Sequence, residues 1–241
     1  WVSKIDSKLQ TKQYGGNKVM KKVNCIAAGI SALTLAGMLL PVGQVFAADQ
    51  TKTSVAEINL KGGELTLDAV PDLNFGEIAI TDLAAGQVSP ALVDNAVGNG
   101  PVKNGTDAMD GNNTGNLSVT DLRGSNAGWT LTAQLGQMKN TAGKLLAGKL
   151  KLASTNVQTD NTSVNAINPG GTLPEIPIAG SAVTIWKAEA ATATDNGQGQ
   201  GKNTAAITEN SGTTLILDKN PTATAGQYQA AITWTLSDAP K

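Results

Sequence analysis

Apolar and polar residues alternate with a period of two along short stretches of the chain. Residues 63–70 read GELTLDAV, 117–122 LSVTDL, 129–135 WTLTAQL and 146–152 LAGKLKL. The same pattern returns in AVTIW at 182–186, TTLIL at 213–217 and YQAAITWTL at 228–236. Each run is rich in Thr, Val, Ile or Leu and is bounded by Gly, Asn, Asp or Pro, which predicts strands. No long amphipathic helical period interrupts them. Several short strands separated by turn residues predict an all-β fold, a single β-sandwich-like or barrel-like domain. Two runs crowded with Gly and Asn, 94–116 and 192–204, are expected to be long surface loops or mobile excursions.

The amino-terminal region has a different pattern. Lys21 and Lys22 precede an apolar run over residues 26–40, which Pro41 closes, and Val45-Phe46-Ala47 has the form of a cleavage site. This pattern marks residues 20–47 as a secretory signal peptide, its apolar run being short for a membrane span. Translation is expected to start at Met20, with residues 1–19 an upstream extension foreign to the native protein; the alternative is an extended signal peptide. Residues 48–241 are then expected to form one exported domain with no membrane span. Cys25 is the sole cysteine. It precedes the apolar run rather than following it, so it does not occupy the place of a lipidated cysteine. It should leave with the signal, and the mature chain should hold no disulfide.

Composition narrows the chemistry. The chain has 18 Lys and Arg against 19 Asp and Glu, a net charge of -1, which supplies neither a basic footprint for nucleic acid nor a polybasic membrane signal. It contains no His, so the usual general base and imidazole metal ligand are missing. No phosphate loop, nucleophile elbow or paired-cysteine motif occurs. Residues 107–116, DAMDGNNTGN, lack the register of a calcium loop. No catalytic residue, cofactor or metal is predicted.

Two identical tripeptides stand out, Trp129-Thr130-Leu131 and Trp234-Thr235-Leu236. In strand geometry Trp129 shares a face with Leu131, Ala133 and Leu135, and Trp234 shares one with Ala230, Ile232 and Leu236. Such rows are expected to face a core, each Trp burying roughly 150–250 Å²; the rival reading is an exposed aromatic platform for sugar rings. Asp121 and Arg123, two apart, are read as a structural ion pair in preference to a grip by Arg123 on a ligand carboxylate.

The segments LSVTDLRGSNAGWTLTAQL and YQAAITWTLSDAP resemble the two signature regions of the WxL domain, and DAVPDLNFGEI resembles that family's amino-terminal motif. The resemblance spans about residues 63–240. It implies an exported surface protein of Gram-positive bacteria that attaches non-covalently to the cell wall, with peptidoglycan or another wall polymer as ligand. It further implies assembly with other WxL proteins and a membrane-bound WxL-interacting protein. No sorting motif follows Ser237, so retention is expected to come from binding. Three readings remain, a wall-binding module, a structural subunit of a surface complex and a cryptic wall hydrolase, of which the lack of His and of any catalytic motif weakens the third most.

Overall fold

The computed structural model describes residues 49–97, 112–160 and 172–238. The expected extension at 1–19, the signal peptide at 20–47 with Cys25, and residues 98–111 of the first expected loop lie outside the described residues. The chain divides into two compact units, Trp1–Val55 and Ala56–Lys241. Of the first, the described residues 49–55 are exposed and carry no regular structure.

The second unit is built from strands. These are β1 (Leu65–Ala69), β2 (Asn116–Asp121), β3 (Trp129–Leu135), β4 (Met138–Asn140), β5 (Leu145–Leu146), β6 (Gly148–Lys151) and β7 (Thr155–Thr159), followed by β8 (Glu175–Pro177), β9 (Val183–Ala188), β10 (Gly201–Ala206), β11 (Thr214–Leu217), β12 (Tyr228–Gln229) and β13 (Ile232–Ser237). One short helix, α1 (Ile80–Ala85), lies between β1 and β2. The strands pair in four small sheets of order β1-β2-β10-β7, β11-β6-β8, β12-β4-β5 and β13-β3-β9. All these pairs are antiparallel. The fold is therefore all-β, as the alternation predicts, and among the described residues no sheet closes into a barrel.

The buried rows follow the period of two. In β2, Leu117 and Val119 are fully buried, and in β3 so are Trp129, Leu131 and Ala133, while Gln134 on the other face is exposed. With Leu150, Ile176, Ile185, Trp186 and Ile207 they form the main core, which takes residues from three of the four sheets. A smaller cluster under α1 joins Leu83 to Met138, Leu146, Leu215 and Leu217.

Two predicted runs are broken where the chain changes sheet. The run 146–152 becomes β5, paired with β4, and β6, paired with β11 and β8. The run 228–236 becomes β12, on β4, and β13, on β3; at the join the Ala231 carbonyl accepts from the Gly136 N–H at 2.8 Å. The run 192–204 is a surface loop as expected only over residues 192–196, which are exposed; the rest turns inward. Gly197, Gly199 and Asn203 are buried, and its end is strand β10, inserted between β2 and β7.

Candidate functional site

The two Trp-Thr-Leu tripeptides lie on adjacent strands. In the β3–β13 ladder Leu131 stands opposite Leu236 and Trp234 opposite Ala133. The antiparallel register thus places the two tryptophans on either side of a central Leu–Leu pair, along one sheet face. Their surroundings differ. Trp129 is fully buried and meets Trp186 edge to face, with ring centroids 5.2 Å apart and planes at 89°, a favoured aromatic geometry. Trp234 is half-buried.

Trp129 is held from above by the Gly-rich run. Its indole N–H donates to the Gly199 carbonyl at 3.2 Å, and the buried Asn203 amide donates to the same carbonyl at 2.8 Å and to Gly201 at 3.1 Å. Gly199 has φ +76°, and a Cβ there would overlap the Trp129 ring and Ala188. Only glycine satisfies both the left-handed backbone and that approach. The sequence NGQGQG is therefore a lid on the core, not a solvated turn.

Asp121 and Arg123 join the site from the end of β2. The Arg123 Nε and Nη2 donate to the two Asp121 carboxylate oxygens at 2.9 and 2.7 Å, a bidentate pair, and the Arg123 backbone N–H adds a third bond at 3.1 Å. Nη2 also donates to the Gly128 carbonyl at 2.6 Å, and Nη1 to the Asp238 carbonyl at 3.2 Å. The guanidinium thus ties the end of β2 to the turn that precedes Trp129 and to the residue that follows β13. Gly128, at φ +68°, makes that turn against the Ala188 carbonyl. Burial pushes the Asp121 carboxyl up, but the Arg123 hydrogen bonds and charge outweigh it and hold the group below the ordinary carboxylate value. Its hydrogen bonds to Asp121 raise Arg123 in turn, against the opposing effect of burial. Four of the five guanidinium N–H donors are engaged within the fold, which leaves little of the fork to face a ligand.

The DAVPDLNFGEI segment runs from β1 past Asn74 to α1. Asn74 bridges to Asp94, its amide donating to the Asp94 carboxylate at 3.0 Å and to the Ala96 carbonyl at 3.1 Å, while the buried Asn95 amide donates to the Asp72 carbonyl at 2.6 Å. So held, the segment forms one wall of an open groove of about 1170 Å³; the opposite wall is the stretch from Ala223 to Trp234. Eight aromatic residues occur in the chain, and Trp1, Tyr14 and Phe46 precede residue 48. Of the remaining five, Trp129 and Trp186 are core, and the other three, Phe75, Tyr228 and Trp234, are all half-buried in the groove. Asn74, Thr224 and Gln227 bring amide and hydroxyl groups to the same walls. Phe75 and Tyr228 escaped sequence reasoning; the scarcity of aromatics after residue 48 was the available signal.

Among the described residues no cluster of three acidic side chains is arranged to hold a metal ion, and no helix is long and apolar enough to cross a membrane. A family model described as WxL domain surface cell wall-binding matches residues 41–240. No curated protein and no solved structure matches the chain.

Proposed function

Because this chain belongs to the WxL family of surface cell wall-binding domains, we propose that it holds to peptidoglycan by non-covalent contact, the glycan lying in the groove walled by Phe75, Tyr228 and Trp234. The family is non-catalytic and its members act at the cell surface by binding the wall. The observation that carries the assignment of the groove is the gathering there of the three aromatic rings after residue 48 that are not fully buried, each packed in part on the core and in part open to the groove. Half-exposed rings offer flat apolar faces to sugar C–H groups, and amides and hydroxyls at the rim satisfy sugar hydroxyls, the usual division of labour in a ligand cleft. The chain itself acts as a binder and not as an enzyme. Asp121 and Arg123 serve it by position, holding the two motif strands together.

We further propose that export removes residues 20–47 and that the domain begins at Ala48. One experiment covers attachment and processing. A chaotrope wash of intact walls should release the protein, and sequencing of the released form should begin at Ala48 or one residue to either side. Release by muramidase alone would refute non-covalent attachment. Recovery of Trp1 on the surface form would refute the processing.

The groove is tested by Tyr228→Ala. The ring is half-buried and its hydroxyl bonds only within the local turn, to Thr224. Binding to purified peptidoglycan should weaken about tenfold, as when one stacking ring of about 1–2 kcal/mol is lost, while the melting temperature falls by only a few degrees, the ring being packed in part on the smaller cluster. Unchanged binding would remove the groove from the assignment.

The second reading, a subunit that assembles with other WxL proteins and a membrane-bound WxL-interacting protein, is favoured by one feature, an unpaired sheet edge at β13.

A further inference from the structure

β13 is the outer strand of its sheet, and among the described residues nothing pairs with its free edge. Monomeric proteins protect such edges with charges, prolines or bulges. Ile232–Ser237 reads ITWTLS, with no charge and no proline, and it pairs with β3 residue for residue without a bulge. The apolar row Ile232, Trp234 and Leu236 stays only half-buried. Beside Leu236 an open gap of about 690 Å³ separates β13 from β1, and Leu65 and Leu67, also half-buried, line its other side. A straight edge whose own residues are uncharged, next to a gap that has leucines on both sides and Glu64, Arg123 and Asp238 at its end, is open to a further strand.

The same chain carries a segment of β-type alternation that forms no strand within its own domain. Residues 56–60 read AEINL, so that Ala56, Ile58 and Leu60 fall on one face of an extended segment and Glu57 and Asn59 on the other. Ile58 is 82 % exposed and Leu60 90 %. Large apolar side chains so fully in water, in a β-type alternation, mark a surface meant for contact. With Lys61 the segment is six residues long, the length of β13.

The segment does not fold back on its own domain. A two-residue hairpin onto β1 would need Gly62 and Gly63 at positive φ, and neither has it. Instead Gly63 donates to the Leu122 carbonyl at 2.8 Å, Leu122 donates back to Glu64 at 2.9 Å, and Gly62 packs against the Arg123 carbonyl. These bonds carry the β1–β2 pairing as far as Gly63, and residues 56–60 before it stay in solvent with no strand pairing among the described residues.

We propose that residues 56–60 of one copy add as an extra strand to the free edge of β13 in a second copy, filling the gap and covering Leu65, Leu67 and Leu236. Main-chain hydrogen bonds would supply the pairing and Ile58 and Leu60 the side-chain anchors, as in other strand-addition contacts. Reciprocal exchange gives a dimer, and head-to-tail exchange gives an open chain of copies. The proposal is independent of what the groove binds.

Sedimentation of the surface-released protein up to about 100 μM, where even a weak contact is populated, should show dimers or longer species. The variant Ile58→Asp, Leu60→Asp should associate at least about tenfold more weakly. Its melting temperature should not fall, since both side chains are in solvent, and its peptidoglycan binding should be kept. On a Cys25→Ser background, mixing Asn59→Cys with Thr235→Cys chains, both on the polar face of the paired strands, should give a cross-linked heterodimer. A parent that stays monomeric, or an aspartate variant that associates like the parent, overturns the proposal. So does an Asn59→Cys, Thr235→Cys double variant that closes within one chain at high dilution.

Discussion

Replacing Trp129 by Ala should destabilise the domain by about 3–5 kcal/mol, the range for a fully buried Trp or Phe truncated in a core that cannot collapse around the cavity. For a domain of this size the melting temperature should fall by about 10 °C. Three losses combine: the buried ring, its edge-to-face contact with Trp186, and its hydrogen bond to Gly199. The last loss would also free the NGQGQG lid. Trp234→Ala should behave differently although the tripeptide is the same. That ring is half-buried and borders the groove, so the variant should lose about 1–2 kcal/mol of stability and a larger share of its peptidoglycan binding. Thermal melts and wall binding measured on both variants separate the roles. If Trp234→Ala unfolds as readily as Trp129→Ala, or binds the wall like the parent, the division between a core Trp and a groove Trp is wrong.

Arg123→Ala should cost about 3–5 kcal/mol, because it leaves the Asp121 carboxylate buried without its partner and also removes the donors to Gly128 and Asp238. The same pair predicts a pH dependence. The folded-state value of Asp121 lies below its ordinary value, so the unfolded chain takes up the proton more readily than the folded one. The stability this group contributes is then present in full above the unfolded value of about 4. It is lost as pH falls through the depressed folded value. Arg123 stays charged throughout and adds no slope in that range. Acid titration followed by circular dichroism should show the parent losing stability below about pH 4, and Asp121→Asn should flatten that part of the curve. An Asp121→Asn curve parallel to that of the parent would show that other carboxylates set the acid limit.

The strands that carry alternating apolar residues were legible because their apolar rows supply the core while the other face is mostly Thr, Ser and Gln, even where a Thr or Ser such as Thr130 or Ser118 is itself buried. β3 is the clearest case: its Trp, Leu, Ala and Leu row is in the core and Gln134 is in water. β4, β7, β8 and β10 were not legible. β10 reads GKNTAA, and its buried positions are Asn203 and Ala205, a polar amide and a methyl group. Asn203 is tolerated there because its amide satisfies backbone carbonyls of the neighbouring turn, a tertiary relation that no local pattern encodes. For the same reason the 192–204 run looked like a loop: Gly and Asn signal both solvated turns and backbone that must pass close to a side chain. The breaks at Ala147 and Ala231 were hidden because each run keeps its alternation while its hydrogen-bond partner changes. As for the site, the Leu131–Leu236 register and the reach of Arg123 to Asp238 require knowing which strands are neighbours, and spacing along the chain carries no such information.

The β3–β13 ladder also bears on how the domain comes to be folded. Its residues Thr132 and Thr235 are 103 positions apart in the chain. Pairing across such a separation closes a long loop before any contact repays the lost entropy, so folding should be slow. Until residue 237 is available, β3 has no partner on that side and the row of Trp129, Leu131 and Leu135 lacks part of its cover. A nascent chain therefore cannot complete its core before β13 has been made, and the arrival of β13 sets the moment at which this domain can commit to its native state.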